Sequence, residues 1–237
     1  MTNIITFSSP YKGFLPEPVP AKHCVPEPYK KLPNFSNNQI DQPTVKKCVP
    51  FLDVYSTGYM LLTPVEYMFT YGQNEKGENT GEKIIVPAMN IPPEAREKFF
   101  VTTHENYQIT PDMKNKNRTV DNVYKWPNHW HIKTPPGYSC LFIQPMNRNL
   151  PFEIISGIVD TDVYPLSVLF PFYWTGDTDK DYIIPEKTPM VQVIPFKRES
   201  WKKEIGERDE DIRTWLSYFS KFIDNYKHKM WHKKDYS

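Results

Sequence analysis

The sequence has few cysteines and glycines, no long hydrophobic run and almost no net charge. Its three cysteines show no CxxC spacing, so neither a disulfide framework nor a zinc knuckle is predicted. No run of about 18 apolar residues occurs, which predicts the absence of a membrane-spanning helix. The 29 basic and 28 acidic residues leave a net charge of +1, so no general attraction for nucleic acid or anionic lipid is expected. These features predict a cytoplasmic protein without membrane or nucleic-acid partners.

Proline, by contrast, is abundant: the chain has 24 prolines against nine glycines. Proline is hostile to helix interiors and stiffens loops and strand edges. Together with 15 tyrosines and 14 phenylalanines, this composition favours a mainly β protein with long, stiff connections. Nine of the prolines fall within residues 1–50, which predicts an extended, proline-rich arm. The arm could cover its own domain or reach a neighbouring subunit.

Residues 51–200 are predicted to form the β-rich core. The segment "FLDVYSTGYMLLTPVEYMFTY" (51–71) contains two apolar runs broken by turn residues, which predicts short strands. The densest β pattern runs from 129 to 196, where β-branched and aromatic residues alternate with turn residues.

Residues 201–237 have a different pattern. Apolar residues at 3- and 4-residue spacing predict one amphipathic helix of about 20 residues, either docked on the β body or packed against a second copy. The stripe comprises Ile212, Trp215, Leu216, Phe219, Phe222, Ile223, Tyr226 and Met230.

Four segments carry a recognisable series of motifs: "STGYMLLTPVE" (56–66), "PPGYSCLFIQPMNRN" (135–149), "GIVDTDVYP" (157–165) and "KTPMVQVIP" (187–195). They resemble the motifs of dUTPases and the related dCTP deaminases. The resemblance implies a β-clip fold, a barrel or sandwich. It also implies that Asp160 stands where the family has its water-activating carboxylate, beside Asp162. On a strand, these two carboxylates would face the same side.

The chain departs from the family where phosphate is held. Met146 and Asn147 replace the arginine and serine of the second motif, and the glycine-rich fifth motif has no counterpart after residue 196. A carboxylate cannot act on a phosphate ester without amides, cations or a metal to hold it. The leading hypothesis is therefore a non-catalytic structural or interaction protein that forms a homo-oligomer or binds another protein.

The alternative hypothesis is a nucleotide-binding protein, or a nucleotide pyrophosphatase or deaminase, that uses Asp160 with either Mg²⁺ or no cofactor. Its predicted ligand-binding residues are Tyr164, Gln192, Asn147 and Arg148. Phrases such as "KKCVPFLDVYSTGY" and "MVQVIPFKRESW" are also similar to a family of proteins of marine phages and bacteria. That similarity implies a host-cell cytoplasm or a virion as the location.

A second alternative depends on "HWH", residues 129–131. On a strand, the imidazoles of His129 and His131 would face one way, as two metal ligands do in cupins. No carboxylate follows at the cupin spacing, and hydrogen-bonded histidines at a strand edge would give the same pattern.

Overall fold

The structure of the protein is a computed structural model. It describes residues 3–36, 42–73, 76, 79–85, 93–110, 118–119, 121–177, 180–207, 212, 214, 216 and 225–237. The chain divides into two compact units. Unit 1 comprises Met1–Val19 and Tyr59–Lys197, and unit 2 comprises Pro20–Gly58 and Arg198–Ser237. These limits differ from the predicted ones at 50/51 and 200/201, because contacts in space define a unit whereas composition defined the predicted domains.

Unit 1 is mainly β, as predicted, and its strands pair antiparallel. One sheet pairs β1 (Thr6–Ser8) with β8 (His131–Lys133), and a second has the order β10 (Phe152–Ile154), β12 (Phe170–Trp174), β7 (Val123–Trp126), β6 (Thr102–His104). A third has the order β11 (Gly157–Val159), β9 (Tyr138–Ile143), β14 (Pro189–Lys197), β3 (Tyr59–Leu62), β2 (Val19–Pro20), and a fourth β13 (Tyr182–Ile184), β4 (Tyr67–Gln73), β5 (Asn79–Ile85). In unit 1, 3₁₀ helices span Pro93–Phe99 and Asn106–Gln108.

The third sheet brings the four motif segments together. Strands β3, β9, β11 and β14 each come from one of them, and they are consecutive neighbours in this sheet. In its register Gln192 of β14 stands between Met60 of β3 and Ile143 of β9. Segments that are far apart in sequence are therefore adjacent in space.

Aromatic side chains fill the core of unit 1. Phe69 stacks on Trp174 with ring centroids 3.9 Å apart, and Trp126 stacks on Phe172 at 4.6 Å. All four are essentially inaccessible to solvent. Burying an aromatic side chain of this size contributes roughly 1.5–3 kcal/mol. This cluster explains why a chain with so few glycines and so many aromatic residues folds as layered β structure.

Residues 3–19 belong to this core rather than to a solvated linker. Leu15 is buried in the aromatic cluster, and Phe7 and Tyr11 pack against it half-buried. Strand β1 adds main-chain hydrogen bonds to β8. Residues 3–19 therefore form part of unit 1.

Unit 2 contains short helices. They are α1 (Glu27–Lys31), α2 (Val49–Ser56) and α3 (Asn225–Lys229), with 3₁₀ helices at Ala21–Cys24 and Val45–Lys47. The strand predicted at "FLDVY" is wrong, since these residues lie within α2. Pro50 occupies the first turn of α2, where its missing N–H costs nothing, and the Thr57 hydroxyl donates to Asp53 O at the last turn.

The predicted C-terminal helix is partly described. Residues 225–229 are helical, as are Ile212, Thr214 and Leu216. Tyr226 and Met230 are 42% and 43% exposed. The other stripe residues, Trp215, Phe219, Phe222 and Ile223, lie outside the described residues. Within the described part of the chain, no helix combines the length and apolar character needed to cross a membrane.

Candidate functional site

Asp160 and Asp162 lie in a turn that follows β11. The strand ends at Val159, and the amides of Val163 and Tyr164 both donate to Asp160 O, at 3.1 and 2.9 Å. The expectation that the two carboxylates share one face of a strand is therefore wrong. The strand ends at Val159, whereas the sequence pattern required it to continue to Asp162.

Both carboxylates accept hydrogen bonds from the protein itself. Ser139 Oγ donates to Asp160 Oδ1 at 2.6 Å, and the Gly137 amide donates to Asp162 Oδ2 at 2.8 Å. Gly137 is in the turn before β9 and has φ +84°, a backbone conformation that glycine adopts without steric cost. A carboxylate that accepts from a backbone amide satisfies a donor that would otherwise have no partner. The aspartates thus hold their turn to β9 and to the turn that precedes it.

Thr161, between the two aspartates, completes this arrangement from the buried side. Its hydroxyl lies 2.8 Å from that of Thr134 and 3.3 Å from Cys140 Sγ, and its single proton can be donated to one of the two at a time. The Thr134 hydroxyl donates in turn to Tyr138 O at 3.1 Å. Burial raises the pKa of the Cys140 thiol to about 11, so this cysteine is a core residue and not a nucleophile. We call these contacts between residues 134–140 and 160–162 the turn lock.

His129 and His131 bind different partners. His131 begins β8, whereas His129 precedes the strand, so the expectation of two imidazoles on one strand face is wrong. His131 Nε2 lies 3.3 Å from Tyr164 O, and His129 Nε2 lies 3.2 Å from Lys98 O. The His129 ring stacks on Phe99 at 4.2 Å, and burial lowers its pKa. Both histidines serve as hydrogen-bonding groups at the margin of the core.

A metal site would require several ligands close together. Among the residues that the structure describes, no group of three or more His, Cys, Asp or Glu side chains comes together in this way. The histidine pair therefore remains a metal-binding hypothesis without a third ligand in the described part of the chain.

Gln192 and Asn147, two of the predicted ligand-binding residues, are involved in the turn that follows β9. Gln192 is fully buried, and its Oε1 accepts from the Met146 amide at 3.1 Å. The bond fixes the turn that follows β9, in which Asn147 adopts φ +54°. A buried amide side chain used in this way contributes to the fold, because an unpaired Met146 N–H would be costly.

Arg148 is the predicted residue that the structure places in a cavity. This cavity, in unit 1, has a volume of about 560 Å³. It is lined by Gln144, Arg148, Asn149, Leu150, Pro151, Phe152, Glu153, Thr175, Gly176, Asp177 and Tyr182. Asp160, Asp162 and Tyr164 do not line it. Glu153, Asp177 and Tyr182 lie outside the four motif segments, so the sequence pattern did not indicate them.

Comparison with protein-family models gives no match to this chain, and comparison with curated proteins gives none either.

Proposed function

We propose that the chain is a non-catalytic interaction protein that associates with a second copy of itself through the edge of strand β11. The use of Asp160 and Asp162 supports the non-catalytic part of this proposal. Ser139 and Gly137 occupy an oxygen of each carboxylate, and the turn lock joins two segments of the same unit. Contacts of this kind stabilise the conformation of a surface segment.

The proposal includes a β body of β-clip type and, from the similarity of its phrases, a phage or bacterial origin. The adjacency of the four motif strands β11, β9, β14 and β3 in one sheet supports the β-clip assignment. The core resembles dUTPases in the order of its segments and departs from them at the phosphate-holding positions. An interaction protein could retain such a body without the reaction.

The observation that carries the proposal is a run of exposed apolar side chains that begins on an edge strand. Among the described strands, β11 is the last in its sheet. Ile158, at its centre, is 63% exposed, and Val163, Leu166 and Leu169 beyond it are 74%, 63% and 48% exposed. Exposed apolar groups of this kind, next to an open sheet edge, are typical of interaction surfaces.

A second copy fits this edge better than an unrelated strand does. Two β11 strands related by a twofold axis can pair antiparallel. Every contact on one side of the axis is then repeated on the other side. Centred on Ile158, this pairing places the two isoleucines together and continues the sheet across the interface. The apolar residues from 163 to 169 would extend the contact on both sides.

The mass in solution tests this association. Light scattering after gel filtration should give a multiple of the 28.0 kDa chain for the unmodified protein. Ile158→Lys should reduce the mass to that of one chain, because the two lysines would face each other across the axis and repel. Ile183→Lys is the matched control, since Ile183 is also a strand isoleucine and is 56% exposed, but lies on β13 in another sheet. A single-chain mass for the unmodified protein would refute the association.

The non-catalytic assignment has its own assay. Purified protein with Mg²⁺ and either dUTP or dCTP should give no turnover. Turnover that disappears in Asp160→Asn would overturn the assignment in favour of a nucleotide hydrolase or deaminase.

A further inference from the structure

The cavity that contains Arg148 has the size of a small-molecule site. Its volume of about 560 Å³ falls within the roughly 300–1,000 Å³ of ligand pockets. Two parts of unit 1 form its walls: Gln144 with residues 148–153, and residues 175–177 with Tyr182. Neither the turn lock nor the edge of β11 uses these residues, so the cavity is a separate feature of the unit.

The first wall is held from both sides. Strand β10 pairs with β12 along one edge, with Glu153 opposite Tyr173. Along the other edge, the Gln144 side chain acts as a substitute strand. Its Nε2 donates to Phe152 O at 3.0 Å, and its Oε1 accepts from the Ile154 amide at 2.8 Å. The amide group thus reproduces the two bonds of a neighbouring backbone and fixes β10 in position.

The second wall is equally fixed. The amides of Thr175 and Gly176 both donate to Pro151 O, at 2.9 and 3.0 Å. Gly176 O accepts from the Thr119 hydroxyl at 2.7 Å. A Cβ at Gly176 would come within 2.6 Å of the Trp174 ring, so the core indole packs directly behind this wall. A site whose walls are already in place avoids the cost of ordering them when a ligand binds.

The positive and negative side chains of the described walls offset one another, which disfavours the binding of an anion. Among the described lining residues, Arg148 is the cationic side chain, and Glu153 and Asp177 are the anionic ones. Asp177 forms an ion pair with Lys180 at 2.6 Å, which leaves Glu153 to offset Arg148. A nucleoside triphosphate brings several negative charges, and Arg148, which Glu153 offsets, is the one cation among the described lining residues. The described walls therefore supply no excess positive charge to hold such a ligand.

We propose that this cavity binds an uncharged, polyhydroxylated ligand, namely a mono- or disaccharide. Carboxylate, amide and guanidinium groups such as those of Glu153, Asn149 and Arg148 are planar and can donate to or accept from neighbouring hydroxyls in pairs. Tyr182 supplies an aromatic ring for the C–H face of a sugar. Trp174 holds that ring by an edge contact at 5.6 Å. The cavity thus combines polar groups for hydroxyls with an aromatic surface.

Calorimetric titration of the full chain tests the proposal with five probes: D-glucose, D-galactose, D-mannose, N-acetyl-D-glucosamine and maltose. At least one should bind saturably with one site per chain. Glu153→Gln and Asn149→Ala should each weaken that binding about tenfold or more, as expected for the loss of a hydrogen bond worth about 1.4 kcal/mol or more. Glu186→Gln is the matched control, because Glu186 is an exposed glutamate of the same unit that does not line the cavity.

Two results would overturn the proposal. One is the absence of saturable binding for all five sugars at millimolar concentration, with the melting temperature confirming folded protein. The other is sugar binding that both cavity variants leave unchanged, since the site would then be elsewhere. dUTP should not bind in the cavity, and dUTP binding that Arg148→Gln abolishes would replace the sugar with a nucleotide. Ile158→Lys should leave sugar affinity unchanged, so the association and the cavity are tested independently.

Discussion

Trp231 Nε1 donates to both carboxylate oxygens of Asp53, at 3.0 and 3.1 Å, although the two residues are 178 positions apart. Lys234 Nζ contacts the same carboxylate at 2.6 Å, and Asp235 forms an ion pair with Lys22 at 3.0 Å. All five residues belong to unit 2, in which Asp53 lies on α2. The last residues of the chain are therefore fixed to a helix formed by an early part of the sequence.

Replacing Trp231 by Phe tests the importance of this contact. Phenylalanine keeps a six-membered aromatic ring but lacks the indole N–H that donates to Asp53. The free energy of unfolding of unit 2 should therefore fall by roughly 1–2 kcal/mol, since hydrogen bonds to charged groups are among the stronger ones. Hydrogen exchange of residues 231–237 should accelerate. Trp201→Phe is the matched control, because Trp201 is 89% exposed. Equal exchange in the two variants would contradict the role of the Asp53 contact.

The hydroxyls of Thr134 and Thr161 should be energetically coupled. Thr→Val keeps the shape of the side chain, so a single replacement leaves the buried partner hydroxyl short of a bond and should cost roughly 1–3 kcal/mol. The double variant should cost less than the sum by about 0.5–3 kcal/mol. Urea unfolding of the four proteins measures this coupling. Strictly additive losses would show that the 2.8 Å contact contributes nothing to the turn lock.

Gly176 should not tolerate a methyl group. The new Cβ would approach the Trp174 ring to 2.6 Å, and that ring is buried and stacked on Phe69. Gly176→Ala should therefore lower stability by about 1–3 kcal/mol through overpacking. Gly206→Ala is the matched control, since no atom lies within 4 Å of its Cβ and it is remote from β11 in the sequence, and it should stay within about 0.5 kcal/mol of the original protein. Similar melting temperatures for the two variants would contradict this packing.

His129 should make the protein less stable in mild acid. Burial lowers the pKa of its imidazole in the folded state, below the unfolded value of about 6.5. As the pH falls through that value, the unfolded chain takes up the proton first, and the free energy of unfolding decreases until the folded pKa is passed. The hydrogen bond to Lys98 O raises this pKa and the charge of Lys98 lowers it, but burial is the largest cause and sets the direction.

The measurement is the melting temperature at a series of pH values for the original protein and His129→Gln. The variant should lose less stability on acidification, because its side chain does not titrate. Some dependence should persist, since burial also lowers the pKa of His104. Identical pH profiles for the two proteins would refute the role of His129.

Local patterns predicted the strands well where the residues are β-branched or aromatic, as in β9, β12 and β14. They failed at "FLDVY", where an equally apolar run forms α2. The run itself is compatible with a strand and with a helix. Pro50 in the first turn favours the helix, as do the hydroxyls of Ser56 and Thr57, which donate to main-chain carbonyls of the last turn. Short apolar runs of this kind cannot be assigned from periodicity alone.

The candidate site was only partly predictable. Asp160 and Asp162 could be singled out as a pair, but their partners Ser139 and Gly137 are more than twenty residues away, so the sequence could not indicate that their oxygens are occupied. Arg148 was singled out for a nucleotide, whereas its neighbours in the cavity include Glu153 and Asp177. Charge balance in a cavity depends on residues that only folding brings together.

The sequence by itself determined the β-rich character of the chain, because side-chain shape and proline act on the backbone within a few residues. Tertiary structure decided the rest: which donors reach the two aspartates, which strand is left at a sheet edge, and which charges share a cavity. Those outcomes depend on pairing between distant segments, whose free energy is spread over a whole sheet and leaves no local pattern.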